Sequence, residues 1–394
     1  MKETLLRAGE LQFKYARRYF EEFTAERPAL REILPTVETP TLLLDLEGVK
    51  NRLIQIRYHL PEVRVYYAVK ANDHPQVLSA LHQLGSGFEV ASSGELQKLL
   101  SLKVPPERII SSNPVKPPEF IDYAYGVGVN RFAVDSFSEV DKIARIAPRA
   151  RVYVRIAVPN EGSEWPLSRK FGVDVGTALR ILEHAKEKGL VPVGVTFHVG
   201  SQCNNLRNWF IAIRDSAELW EKARLRGMRL LILNMGGGIP VRYINEVLRI
   251  EDIAYYVRGL LRKYFPTPPY ELQMEPGRGI VGDQGVLVTQ VIGKAQRGGE
   301  NWLYVDTGVF NGLAEALGGI RYPVYLEKEG ELKEWILGGV SCDSMDVIAR
   351  GVYLPEPEVG DRLYLLSAGA YTTVYASEFN GFPRPRILCV SGRL

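Results

Sequence analysis

The 394-residue chain carries 49 basic and 46 acidic side chains, for a formal net charge of +3, and 46% of its residues are hydrophobic. Because the charges are interspersed and no run of about 18 residues is apolar, the sequence argues against nucleic acid or a membrane as a partner. Three widely spaced cysteines and a charged N-terminus without an apolar core predict a cytoplasmic globular protein of two domains with a small-molecule partner.

The first predicted elements are a helix over residues 3–25, a short strand over 41–45 and a second helix over 47–58. From residue 65 onward, short apolar runs alternate with helical patterns, which is the order of a parallel sheet. The apolar runs are 65–70, 87–91, 109–112, 132–135, 152–157, 193–200, 230–236 and 271–275. Eight such repeats predict a (β/α)8 barrel, with an open doubly wound sheet as the alternative.

The pattern changes after residue 285, where apolar segments follow one another without helices between them. These segments are 286–291, 302–305, 335–337 and 362–366. We therefore predict an α/β protein with a second, C-terminal β-domain. The expected parts are residues 1–45, which pack with the β-domain, the barrel over 46–285, and the β-domain over 286–394.

A lysine, Lys70, closes the first predicted barrel strand. Barrel enzymes place their chemistry at the carboxyl ends of the strands. A lysine buried there tends to become a neutral amine, as a nucleophile that forms a Schiff base requires. The alternative is a lysine that only marks the end of a strand at the water boundary.

Two later strand ends combine into a predicted anion site. Gly236, Gly237 and Gly238 follow the seventh strand and allow backbone N–H groups to converge on a phosphate. The eighth strand ends in Glu275-Pro276-Gly277-Arg278, and phosphate sites in barrels follow strands seven and eight. A simple turn is the alternative for the glycines.

The remaining strand-end groups favour a pyridine cofactor over a phosphate alone. His198 and Ser201 follow the sixth strand, where an imidazole packs against a planar ligand and a hydroxyl donates to phosphate, although His198 also fits a core position. A carboxylate such as Glu275 holds a pyridine nitrogen protonated, which makes pyridoxal phosphate an electron sink. A structural ion pair is the alternative for Glu275, and no metal site is predicted.

Seven motifs in the order of one family carry a resemblance over residues 37–394. They are 67–72, 88–92, 197–201, 236–240, 275–278, 342–346 and 369–372. The chain resembles the fold-type III pyridoxal-phosphate decarboxylases, which share the alanine-racemase-like fold and include ornithine, lysine and diaminopimelate decarboxylases. Segments 165–172 and 376–382, with Cys342-Asp343, are more similar to the ornithine/lysine branch.

The resemblance implies a role for each matched position. Lys70 would be the Schiff-base lysine, His198 would stack on the ring, and Cys342 would return a proton to the substrate. The implied cofactor contacts are Lys70, Glu89, Arg155, His198, Ser201, Gly236, Gly237, Gly238, Glu275, Gly277, Arg278 and Tyr371. Asp343 would bind the substrate's distal ammonium, with Glu315 and Tyr322 as further substrate contacts.

The implied activity is decarboxylation of ornithine or lysine to a diamine in polyamine biosynthesis, by a homodimer whose active sites are shared across the interface. Two departures affect specificity. Glu89 stands where ornithine decarboxylases usually have aspartate, and the segment 312–322 is shortened where that branch supplies an acidic residue.

Three kinds of alternative stay open from the sequence. The substrate of a decarboxylase could be arginine, diaminopimelate, or a precursor of a siderophore or antibiotic. A racemase of the same fold would carry arginine in place of Glu275. A non-catalytic protein similar to the antizyme inhibitors would be expected to have lost cofactor groups.

Overall fold

The computed structural model describes residues 2–159, 161–165 and 170–391. These residues form two compact units. The barrel unit contains the described residues of Lys50–Pro240 and Leu248–Gly279, and the β-unit contains those of Met1–Val49, Val241–Val247 and Ile280–Leu394. No helix in this part of the chain has the length and apolar character needed to cross a membrane.

The N-terminal segment belongs to the β-unit. Its elements are α1 (Lys2–Ala25), α2 (Pro28–Ile33) and β1 (Thr41–Asp45). Phe20 of α1 packs its ring 4.8 Å from that of Tyr325 and 4.7 Å from that of Tyr364. These aromatic contacts bury one face of α1 against the sheet of the same unit.

The barrel strands are short and almost entirely buried, because helices and side chains cover both faces of a parallel sheet. They are β2 (Val63–Ala68), β3 (Gly87–Glu89), β4 (Ile109–Ile110), β5 (Arg131–Val134), β6 (Arg151–Arg155), β8 (Val191–Thr196), β10 (Ile232–Asn234) and β11 (Glu271–Met274). Between them, β7 (Ser163–Trp165) and β9 (Ser201–Cys203) form a separate antiparallel pair.

Within the described residues these eight strands pair in the order β4-β3-β2-β11-β10-β8-β6-β5, all in parallel. A parallel bridge between Ser111 and Phe132 joins the two ends of that order, just beyond β4 and within β5. The sheet therefore closes, and the predicted (β/α)8 barrel is confirmed over the open doubly wound sheet.

Helices alternate with the strands of the barrel, starting with α3 before β2. They are α3 (Leu46–His59), α4 (Pro75–Gln83), α5 (Ser93–Ser101), α6 (Pro118–Gly126), α7 (Phe137–Ile146), α8 (Val175–Glu187), α9 (Leu206–Leu225) and α10 (Ile250–Tyr264). Several begin with a side chain that accepts a backbone N–H bond, such as Ser92 at α5 and Asp174 at α8. These caps fix where each strand-to-helix loop ends.

The predicted C-terminal β-domain is also confirmed. After α11 (Arg278–Val281) come β12 (Gly285–Arg297), β13 (Glu300–Val305), β14 (Val324–Leu326), β15 (Leu332–Gly338), β16 (Val347–Pro355), β17 (Arg362–Leu366) and β18 (Arg386–Val390). They pair in the order β14-β17-β12-β13-β15-β16. The N-terminal β1 runs antiparallel to β12 and parallel to β18, so the start and end of the chain share this sheet.

Candidate active site

Lys70 lies two residues beyond the end of β2, in a 3-10 turn over Val69–Ala71. Its Nζ is 3.1 Å from Oε2 of Glu89, and 47% of its side chain is exposed. Lys70 thus lies at the carboxyl end of the strand, as the sequence predicted, but the expectation that its side chain is buried is wrong. The strand ends earlier than its apolar run, and the turn leaves the amine accessible to a small molecule.

Glu89 is the last residue of β3 and is almost fully buried. While Oε2 accepts from Lys70, Oε1 accepts a bond from the backbone N–H of Ser112 at 3.3 Å. Both carboxylate oxygens are thus satisfied, as a buried charge requires. Glu89 supplies the buried negative partner of the Lys70 ammonium.

Glu275 follows β11 and is 7% exposed. One of its oxygens, Oε1, accepts hydrogen bonds from Asn234 Nδ2 at 2.5 Å and from the Ser112 hydroxyl. Burial, and then the negative charge of Glu89, raises the pKa of Glu275 to about 7. Near neutral pH, a positive group beside this carboxylate would therefore favour its ionised form.

His198 lies beyond the end of β8, and its Nδ1 accepts a 3.0 Å hydrogen bond from the N–H of Gly200. Burial, with the positive charges of Arg155 and Lys70, holds the pKa of His198 well below its usual value. The imidazole is therefore neutral and carries its proton on Nε2. A neutral, fixed ring suits packing against a planar ligand.

Arg155, the last residue of β6, extends its guanidinium over the ring of Phe171, 5.5 Å from the centroid. Burial lowers the pKa of Arg155, and the carboxylates of Glu275, Asp135 and Glu89 oppose that shift. Arg155 therefore brings a largely buried positive charge to the strand ends that carry the acidic groups.

The glycine turn after β10 is closely packed. Gly236 and Gly238 have φ angles of +62° and +111°, and a Cβ on Gly238 would lie 2.7 Å from the carbonyl oxygen of Gly200. Only glycine fits such a conformation at that separation. The N–H of Gly236 donates to Asn234 Oδ1 at 2.9 Å, so it is committed to the protein and does not face an anion.

Arg278 supplies the charge for the predicted anion site. It is 3% exposed, and its Nε donates to the Ser201 hydroxyl at 3.2 Å. The buried Gly277 precedes it in the turn after β11. Ser201 at the start of β9, the turn after β10 and Arg278 after β11 thus contribute a hydroxyl, a glycine turn and a guanidinium, the set that binds phosphate.

The other predicted site residues belong to the β-unit. Cys342 and Asp343 are exposed in the loop before β16, where the Cys342 N–H donates to Asn380 Oδ1 at 3.2 Å. Glu315 is buried in a 3-10 turn, and Tyr322 is buried with its ring 5.8 Å from that of Tyr243. Tyr371 adopts a φ of +53°. Of the motif over 165–172, residues 166–169 lie outside the described residues.

Four polar residues near these groups were not predicted from the sequence. They are Ser112, Tyr153 and Asn234, which form hydrogen bonds around Glu275, and Glu95. Burial and the charge of Glu89 raise the pKa of Glu95 to about 7, and its carboxylate accepts the N–H of Ala91 at 2.7 Å. The sequence signal for Glu95 was present as a capping box, with Ser92 accepting the N–H of Glu95.

Together these barrel groups fit pyridoxal phosphate. The accessible Lys70 amine suits its aldehyde, and Arg278 with Ser201 suits its phosphate. The neutral ring of His198 suits its planar face, and the buried carboxylate of Glu275 suits a ring nitrogen that carries a proton.

Known proteins agree with this interpretation. The family described as pyridoxal-dependent decarboxylase, pyridoxal binding domain, matches residues 46–282. The lysine/ornithine decarboxylase of Selenomonas ruminantium is 36% identical over 368 residues, which cover 92% of each chain.

Two solved structures are similar over nearly their whole length. The lysine/ornithine decarboxylase of Vibrio vulnificus, complexed with cadaverine, has a TM-score of 0.84 and 32% identity over 93% of this chain and 99% of that one. The arginine decarboxylase of Paramecium bursaria Chlorella virus, bound to agmatine, has a TM-score of 0.87 and 29% identity over 92% of this chain and 100% of that one. The chain therefore belongs to the fold-type III pyridoxal-dependent decarboxylases, in their ornithine/lysine branch.

Proposed function

We propose that this enzyme uses pyridoxal 5'-phosphate to decarboxylate L-ornithine or L-lysine to a diamine, in the cytoplasm and for polyamine biosynthesis. The observation that carries the proposal is the buried carboxylate of Glu275 in the same barrel as the accessible amine of Lys70. When bound, the cofactor supplies an aldehyde that takes the substrate's amine and a ring that accepts the electrons left by departing carbon dioxide.

Residues of the barrel would bind the cofactor and position it. Lys70 would hold the cofactor through its amine and would be released as a free amine when the substrate's amine takes its place, and the Glu89 carboxylate would pair with the Lys70 ammonium. Glu275 stabilises a protonated ring nitrogen, and Arg278 with Ser201 holds the phosphate. His198 would orient the ring, Arg155 would support the active site, and Gly237, Gly238 and Gly277 would complete the phosphate contacts of the barrel. Tyr371 of the β-unit is proposed as a further phosphate contact.

The substrate's far end requires a carboxylate, because a buried ammonium without one would cost several kcal/mol. We assign that role to Asp343, with Glu315 and Tyr322 as further substrate contacts. Cys342, the neighbour of Asp343, would return a proton to the α-carbon of the product. Both Cys342 and Asp343 are exposed in the β-unit and so are open to a second molecule.

We further propose a homodimer in which Cys342 and Asp343 serve the active site of the partner subunit. The exposed apolar side chains of Met345 and Phe379, 58% and 39% accessible, support an interface around this loop. The domains that we propose are the barrel over 46–285 and the β-domain over 286–394, with the N-terminal helix and strand of residues 1–45 packing with the β-domain.

The alternatives differ in substrate or in activity. Arginine, diaminopimelate or a siderophore or antibiotic precursor would use the same cofactor chemistry with a different pocket. A racemase is disfavoured because the acidic Glu275 promotes full delocalisation of electrons into the ring. A non-catalytic antizyme-inhibitor-like protein is disfavoured because Lys70, Glu275 and Arg278 are all in place.

Carbon dioxide release from a panel of L-amino acids, with pyridoxal phosphate added, tests the proposal. We expect activity on both ornithine and lysine, since one methylene changes selectivity by only about 1–3 kcal/mol. The Asp343→Asn variant should raise KM for the better substrate and leave cofactor affinity unchanged. If carbon dioxide is released only from arginine or diaminopimelate, the assignment of ornithine or lysine as the substrate is wrong. If the protein binds the cofactor but releases carbon dioxide from no amino acid, the assignment as a decarboxylase is wrong.

A further inference from the structure

The carboxylate of Glu275 is held from one side. In the described part of the chain it accepts two hydrogen bonds, from Asn234 Nδ2 and from Ser112 Oγ, and both go to Oε1. The other oxygen, Oε2, receives neither. The side chain therefore has a fixed orientation, with one oxygen anchored to the protein and the other left to meet a ligand.

If the side-chain amide of Asn234 were reversed, it would lose every hydrogen bond that the side chain makes. It is fully buried at the end of β10, where Nδ2 also donates to Gln273 Oε1 at 3.1 Å and Oδ1 accepts from the N–H of Gly236 at 2.9 Å. A reversed amide would place oxygen against the carboxylate of Glu275 and N–H against N–H. Asn234 thus connects Glu275 directly to the first residue of the glycine turn.

The orientation of Asn234 is imposed from deeper in the barrel. Gln273 Nε2 donates to Glu271 Oε1 at 2.7 Å, so the Gln273 oxygen must face Asn234. Glu271 itself is anchored by the Tyr66 hydroxyl at 2.8 Å and by Arg131 at 3.5 Å. This buried chain of hydrogen bonds fixes which atom of Asn234 points at Glu275.

Ser112 is oriented in the same way by Tyr153. Since Oε1 of an ionised Glu275 only accepts, the Ser112 proton is directed to it, and the Tyr153 hydroxyl donates to Ser112 Oγ across 2.8 Å. Burial raises the pKa of Tyr153 well above its usual value, so Tyr153 stays a protonated donor.

We propose that Ser112, oriented by Tyr153, and Asn234 are positioning residues that anchor Oε1 of Glu275 and present Oε2 to the ring nitrogen of the cofactor. Through its bond to the N–H of Gly236, Asn234 also links this carboxylate to the glycine turn that we propose contacts the phosphate of the cofactor. The proposal rests on the proposed function, in which Glu275 is the partner of that nitrogen.

Other charged groups also influence the pKa of Glu275, and they are present in every variant of the test. Glu89 at the end of β3 disfavours the ionised form of Glu275, and Lys70 in the turn after β2 favours it. Arg155 and Tyr153, both on β6, also interact with it electrostatically. The two anchoring donors act with Lys70, so the loss of either donor must make Glu275 easier to protonate.

The test compares Ser112→Ala, Tyr153→Phe and Asn234→Leu with Ser111→Ala. Ser111 is the matched control because it is the neighbouring serine, is also buried, and its hydroxyl has no hydrogen-bond partner in the described part of the chain. The first readout is infrared titration of the protonated carboxyl group in the apoprotein, assigned by its loss in Glu275→Gln. Ser112→Ala and Asn234→Leu should each raise the pKa of Glu275 by about one unit, and Tyr153→Phe by less.

The second readout is affinity for pyridoxal phosphate and for pyridoxal, which lacks the phosphate. Ser112→Ala should weaken both about ten-fold, because it affects only the ring nitrogen's partner. Asn234→Leu should weaken pyridoxal phosphate more than pyridoxal, because it also releases Gly236. If Asn234→Leu fails to fold, Ser112→Ala and Tyr153→Phe decide the proposal.

Two failures are distinguishable. If Ser112→Ala and Tyr153→Phe behave like Ser111→Ala in both readouts while Glu275→Gln loses cofactor affinity and activity, the positioning roles are wrong and the proposed function stands. If Glu275→Gln itself keeps full affinity and full activity, the role of Glu275 in the proposed function is wrong.

Discussion

At the scale of single residues, Lys70 combines a buried carboxylate partner, Glu89, with an accessible amine. We predict that the protein with pyridoxal phosphate is yellow and that borohydride fixes the cofactor on Lys70. Lys70→Arg keeps the positive charge beside Glu89 but removes the reactive amine, so it should bind cofactor without the visible absorbance. Peptide mapping checks the position, and an adduct on another lysine of active enzyme would contradict the assignment.

Glu275 should make the stability of the apoprotein depend on pH. Its pKa is raised from 4.5 to about 7 in the folded state, so the folded chain binds more protons than the unfolded chain between these values. Stability should therefore fall as pH rises through that window, by up to about 3 kcal/mol from this group. Glu95 should act with the same sign, because burial and Glu89 raise its pKa to about 7 as well.

Urea unfolding of the apoprotein at about pH 5 and about pH 8 measures this dependence. Glu275→Gln cannot titrate, so its stability should decline less between the two pH values than that of the wild type. An equal decline in both proteins would show that Glu275 is not the titrating group.

At the scale of elements, α1 holds the segment Val241–Val247 within the β-unit. The guanidinium of Arg242 lies 3.9 Å from the ring centroid of Tyr19 and pairs with Glu22 at 2.9 Å. The Tyr15 hydroxyl donates to the carbonyl oxygen of Tyr243 at 2.5 Å. A helix that precedes the sheet in the chain thus fixes the residues that follow the glycine turn.

We predict that Arg242→Ala lowers the free energy of unfolding by about 1–2 kcal/mol, through the lost cation–π contact and ion pair. Arg242→Lys should lose less because it keeps the charge. Arg18→Ala is the matched control, since Arg18 pairs with the same Glu22 but is 79% exposed, and it should change stability little. Chemical denaturation measures all three, and equal effects of Arg242→Ala and Arg18→Ala would contradict the prediction.

The sequence predicted the barrel strands well because each is buried on both faces and therefore reads as an apolar run. It failed on the burial of Lys70, because the end of a strand depends on local turn geometry that an apolar run does not encode. It also missed Ser112 and Asn234. Small polar residues are common at strand ends, and Ser112 finds its carboxylate partner 163 residues away in the sequence.

At the scale of the whole molecule, the predicted site residues divide between two compact units. Lys70, Glu275 and Arg278 lie in the barrel unit, whereas Cys342 and Asp343 lie in the β-unit and are exposed there. Cys342 and Asp343 are exposed beside exposed apolar side chains. This is the arrangement expected if a second copy of the chain covers the loop and completes the active site. This arrangement makes the sharing of active sites testable with two inactive variants.

Lys70→Ala lacks the amine of the barrel unit, and Cys342→Ala lacks the proton donor that we assign to the β-unit, so each variant alone should be inactive or nearly so. In a hybrid dimer, one of the two sites would combine the intact Lys70 of one subunit with the intact Cys342 of the other. A one-to-one mixture should therefore recover about a quarter of the wild-type sites once subunits have exchanged, because half of the dimers are hybrids.

Carbon dioxide release measures the recovery, and mass spectrometry of differently tagged chains verifies the exchange. Mixtures of differently tagged chains of a single variant control for exchange without complementation. If exchange is complete and activity does not return, each subunit must build its site from its own residues, and the proposed role of Cys342 in the partner's site fails.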